Sequence, residues 1–139
     1  MGMINFGLSL DNLRKNPAGY LPEKSFVAVV SFLLGYDASC QGGLLLGFHE
    51  WLVVRQNFGD NLHWSATVLF LSFPAAESLD DARMKSREEP DIAIGTLFDL
   101  ISEFSGIRQK RNGLQEIFSQ HKKWMDGRRR QAPKKSTKQ

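Results

Sequence analysis

Between Gly42 and Pro74 the chain reads GGLLLGFHEWLVVRQNFGDNLHWSATVLFLSFP, its densest apolar stretch, holding two of the three tryptophans and two of the three histidines. Apolar residues at 44, 45, 48, 51, 52 and 54 keep the three-and-four spacing of a helix starting at Leu44. FGDN (58–61) breaks that pattern, and Asp60 or Asn61 is available to cap the next helix. LHWSATVLFLSF is a second apolar run, which Pro74 stops. The stretch therefore predicts a helical hairpin at the centre of a small core. Thr-Val-Leu-Phe also suits a strand, so a short strand pair around 64–73 is the alternative.

Helical spacing recurs on both sides. LSLDNLRK (8–15) predicts a short helix, and NPAGYLP (16–22) a turn-rich connector. Pro22 to Leu34 is too long for an ordinary strand and reads as a helix, with Pro22 in its first positions and Gly35 as its C-terminal cap. Residues 75–91 are highly charged and predict a surface helix or partly ordered loop ending at Pro90. Asp91 then caps an amphipathic helix with Ile94, Leu97, Phe98, Ile101 and Phe104 on one face, broken at Ser105-Gly106. The cleanest pattern is the last: Leu114, Ile117, Phe118, His121, Trp124 and Met125, ended by Gly127. With 139 residues, one domain is expected. The prediction is an all-α, single-domain bundle of about five to six helices over 1–126, with a basic C-terminal tail over 127–139.

Few catalytic chemistries find their residues here. A single cysteine, Cys40, allows neither a disulfide within the chain nor a cysteine-based zinc site. His49-Glu50 opens an HExxH pattern, but Val53 stands where the second histidine is needed. His63 and His121 each read as ordinary hydrogen-bonded side chains. GGLLLG lacks the Gly-Lys-Ser/Thr of a phosphate loop, and no GxSxG surrounds a serine. A non-enzyme without cofactor or metal is expected. The longest nearly unbroken apolar run, Phe26–Leu34, is well short of the roughly 18 residues of a membrane span, and MGMINFGLSL lacks the pattern of a secretory signal. These features predict a cytoplasmic protein without a membrane partner.

The charges are segregated. Residues 1–107 carry 7 Lys/Arg against 13 Asp/Glu, a net −6; residues 108–139 carry 11 against 2, a net +9. This division suggests two interaction surfaces. Glu77, Asp80, Asp81, Glu88 and Glu89 form an acidic segment able to imitate a phosphate backbone before a basic partner protein. Arg108, Lys110, Arg111, Lys122, Lys123, Arg128, Arg129 and Arg130 form a basic segment able to hold nucleic-acid phosphates.

The residues GGLLLGFHEWLVVR (42–55), NLHW (61–64) and FP (73–74) resemble the small immunity proteins encoded beside bacterial contact-dependent and polymorphic toxins. That resemblance implies a cytosolic protein that binds one cognate toxin domain, often a nuclease, and blocks its active site or substrate entry. Toxin-contacting residues diverge among such proteins, so the resemblance assigns none to a position here. Joined to the charge pattern, it makes the acidic segment the expected toxin-binding surface. Binding of nucleic acid through the basic C-terminus is the alternative, and that basic end departs from the acidic character expected of a nuclease inhibitor.

Overall fold

The computed structural model describes residues 10–131. Seven helices and one 3-10 turn run in order: α1 Leu10–Lys15, the turn Pro17–Gly19, α2 Phe26–Ser39, α3 Phe48–Gln56, α4 Trp64–Ser72, α5 Leu79–Glu88, α6 Pro90–Arg108 and α7 Gly113–Gln131. The fold is an all-α bundle, with no strand among the described residues. The strand alternative at 64–73 is thereby overturned. His63 caps α4 by accepting a hydrogen bond from the Ser65 N–H, and helical propagation from that cap keeps the β-branched residues in a helix.

The organising element is α6, not the 42–74 stretch. It packs against all six other helices. Ala93, Ile94, Leu97, Phe98, Leu100, Ile101 and Phe104 are all buried along it. Nineteen residues give a rod about 28 Å long, enough to run the length of a domain this size. Against it, Phe48 of α3 meets Phe104 edge-on at 5.3 Å between centroids and Trp64 of α4 at 5.4 Å. Aromatic pairs in this edge-to-face range add to the stabilisation from burial alone. Three ion pairs tie earlier segments to the same helix: Lys24–Asp91 at 2.5 Å, Arg14–Asp99 at 2.8 Å and the two-pronged Arg55–Glu103 at 2.9 Å.

Several boundaries differ from the sequence expectation. Helix α2 starts after Ser25, whose Oγ accepts from the Ala28 N–H, rather than at Pro22. It runs through Gly35 to Ser39. Helix α3 begins at Phe48, not Leu44, because residues 40–47 form a turn held from two sides. Asp37 Oδ1 accepts from the Leu44 and Leu45 N–H groups. The Arg108 guanidinium donates to the carbonyls of Gly42, Gly43 and Leu46. Gly47 lies at φ +91°, a backbone conformation that glycine adopts freely and other residues rarely do, and its Cα faces Leu114 of α7. Pro90 opens α6 as its first residue, with Glu89 rather than Asp91 at the N-cap position. Helix α6 does not break at Ser105-Gly106, and α7 passes Gly127 to reach Gln131. Residues 127–131 of the expected tail are therefore helical; its remainder, and Leu8 and Ser9 of the first predicted helix, lie outside the described residues.

Candidate functional site

The acidic segment becomes α5 and its flanks. Ser78 Oγ accepts from the Asp81 N–H at 3.0 Å, and Asp81 Oδ2 accepts from the Glu77 N–H at 3.0 Å. Asp81 is thus occupied in closing the helix start, a variant of the capping box. Asp80, Met84 and Glu88, four residues apart, form one exposed row, and Met84 is 55% exposed. Arg83 and Arg87 form the adjoining row, and Arg83 reaches Asp80 at 3.4 Å in an exposed pair of small energetic weight. Glu77 and Glu89 are exposed at opposite ends of a helix about 15 Å long, so the five acids do not converge on one point. The neighbouring acids Asp91, Asp99 and Glu103 are neutralised by their pairs to Lys24, Arg14 and Arg55.

Beside α5 runs a groove of about 380 Å³, walled by Phe26, Val27 and Val30 of α2, Leu69 of α4, and Arg83 and Arg87 of α5. The outer face of α2 is uncharged: Val27, Ser31, Leu34, Gly35 and Ala38 are exposed, Val27 at 71%. A helix apolar nearly all round is normally enclosed. Here one side of it meets solvent.

The basic segment divides. Arg108 is committed to the 42–46 carbonyls and lies over the Phe104 ring at 5.8 Å, so its role in this fold is structural. Lys110 and Arg111 are exposed in the α6–α7 connection. Lys122, Lys123 and Arg130 are exposed on α7, and Arg129 is exposed beside the 58–62 loop. None of these six has a carboxylate partner among the described residues. Arg128 rides over the Trp124 ring at 5.0 Å.

The structure also assembles a corner from residues scattered along the sequence. Asp60, from the loop between α3 and α4, lies between two histidines 72 positions apart. Its Oδ1 is 2.9 Å from His121 Nε2 of α7 and 3.7 Å from His49 Nε2 of α3. The His121 ring stacks on Trp124 at 6.2 Å, and Trp124 Nε1 donates to Asn57 Oδ1 at 2.7 Å. All three residues Asp60, His121 and Trp124 are partly buried. His63 lies close enough to His49 to feel its charge. Its pKa is lowered from the ordinary imidazole value, first by burial and then by His49. That direction suits its position: an N-cap needs the Nδ1 lone pair, and a cation is unfavourable at a helix N-terminus. The corner contains no group of three His, Cys, Asp or Glu side chains arranged to hold a metal ion, nor does any other place among the described residues. No local pattern marks these residues as partners. His49 and Asp60 lie in one stretch, but His121 comes from the far end of the chain.

No family model, curated protein or solved structure matches the chain. Among the described residues, no helix is long and apolar enough to cross a membrane.

Proposed function

We propose that this chain is a non-enzymatic, immunity-type protein that neutralises a cognate bacterial toxin domain by binding over it in the cytoplasm. The observation that carries the reading is the exposed Asp80–Met84–Glu88 row of α5 beside a groove whose far wall is the uncharged face of α2. A thioether centre with charged margins has the make-up of a protein interface: an apolar middle and a polar rim. The carboxylates supply attraction toward a basic partner, such as a nuclease surface, and speed the encounter. Val27 and Leu34 add apolar area that water covers in the free protein.

The test is first whether a toxin domain is encoded beside this chain, which this reading requires, and then direct binding to it by calorimetry at low salt. Asp80→Asn with Glu88→Gln should weaken binding about tenfold or more, the scale of losing charges close to a partner's. Met84→Ala in addition should weaken it further. Full affinity in the triple variant would sink this reading.

The unpaired cations of α7 favour a second reading, association with nucleic acid. It predicts binding to generic duplex that falls steeply with salt. Replacing Lys122, Lys123, Arg129 and Arg130 by glutamine should flatten the log–log salt slope by about three to four. A slope unchanged by these substitutions would exclude α7 as the contact.

A further inference from the structure

We propose that the cavity between the 58–62 loop and the last turns of α7 binds a nucleoside phosphate. It is an open depression of about 560 Å³ on the surface. Phe58, Leu62, Trp124 and Met125 give it apolar walls, Arg128 and Arg129 supply two cations, and the Asp60 carboxylate, engaged by His121 at 2.9 Å, also lines it. Neither arginine has a carboxylate or hydrogen-bond partner among the described residues, so the donors of both guanidinium groups are unspent. Two forked cations match the geometry of a phosphate.

The distinctive feature is how Arg128 is held. Asp60 fixes His121 at 2.9 Å, His121 stacks on Trp124, Asn57 fixes the indole N–H at 2.7 Å, and Arg128 lies over that indole at 5.0 Å. This relay runs from the α3–α4 loop to the cavity wall and limits the freedom of a side chain that is otherwise costly to order. A guanidinium already positioned loses less on binding than a free one. Arg130, with no such support, provides the internal comparison. The apolar walls argue for a planar base beside the phosphate, because guanidinium planes and aromatic rings both stack on bases. Asn61, exposed at the rim, adds an amide that can donate and accept at a base edge. This site uses α7 and the 58–62 loop, so it stands independently of the α2–α5 surface.

The probes are AMP, adenosine and inorganic phosphate, titrated into the full chain at low salt by calorimetry. AMP should bind more tightly than either fragment. Arg128→Gln with Arg129→Gln should weaken AMP at least tenfold, and Arg130→Gln should leave it within twofold. Trp124→Phe, which keeps a ring but removes the donor to Asn57, should weaken AMP less than the double change. A short single strand with a 5′-phosphate that competes with AMP identifies a nucleic-acid end as the source; failure to compete identifies free nucleotides, and both support the site. The proposal is overturned by absence of AMP binding at millimolar concentration, by equal binding to the double variant, or by an equal loss in Arg130→Gln. Circular dichroism on each variant separates these results from unfolding.

Discussion

Cations before α6 and cations on α7 are the same residue types put to opposite uses. Arg14, Lys24 and Arg55 each sit within 2.9 Å of a carboxylate on α6 and fasten three separate segments to it. Lys122, Lys123, Arg129 and Arg130 touch no carboxylate among the described residues. The net charges of −6 and +9 therefore differ in kind. Four of the thirteen acids in residues 1–107 pair with a Lys or Arg of the same segment, pairs that the net −6 already counts, while Lys122, Lys123, Arg129 and Arg130 of α7 have no carboxylate partner among the described residues. Charge counted along a sequence gives the net of each region but not which of its cations are tied to a carboxylate.

Arg108 sits at the boundary between the two regions and gives the largest expected break in the comparison. Arg108→Ala removes donors to three carbonyls and a stacking contact, and should cost about 2–3 kcal/mol in urea unfolding. Arg130→Ala, at an exposed position, should change stability by less than about 0.5 kcal/mol. Equal effects would erase the distinction between the two uses. Next comes the corner: Asp60→Ala leaves His121 without its acceptor and should cost about 1–2 kcal/mol, read the same way. Arg55→Ala should cost about 1 kcal/mol or less despite its good geometry, since the pair is exposed.

The smallest effect concerns His63. Its folded pKa is lowered, so the neutral form is favoured in the native state and the unfolded chain takes up the proton first. Its contribution is fully present above the unfolded value of about 6.5 and is lost as pH falls through the lower folded value. His63→Asn keeps a capping acceptor without a titrating group. Stability measured from pH 7.5 to 5 should decline less in this variant than in the parent. A parallel decline would assign the acid sensitivity elsewhere.

Much of the architecture is legible in the sequence because it depends on local period. The five positions named for α6 and Ile117 of α7 are buried. Three glycines mislead. Gly35, Gly106 and Gly127 look like helix ends, yet each sits inside a helix with nothing within 4 Å of where a Cβ would lie. Glycine weakens a helix by roughly 0.5–1 kcal/mol, and packing of the flanking turns outweighs that. The 40–47 turn is illegible for the opposite reason. It depends on Arg108, more than sixty residues away. The histidine corner is hidden in the same way: His121 sits 61 positions from the Asp60 that orients it.

The lateness of α6 in the chain bears on biosynthesis. During synthesis from the N-terminus, α1 to α5 emerge before the rod they pack on exists. Arg14 waits 85 residues for Asp99. Until then, Phe48 and Trp51 have no Phe104 to close against, and their surface is open to solvent or to chaperones. Such a chain should gain its tertiary structure late and in one step, once residues 90–108 have been made. A ribosome-bound chain halted just short of α6 should remain protease-sensitive throughout, and one carrying α6 and α7 should become resistant as a unit.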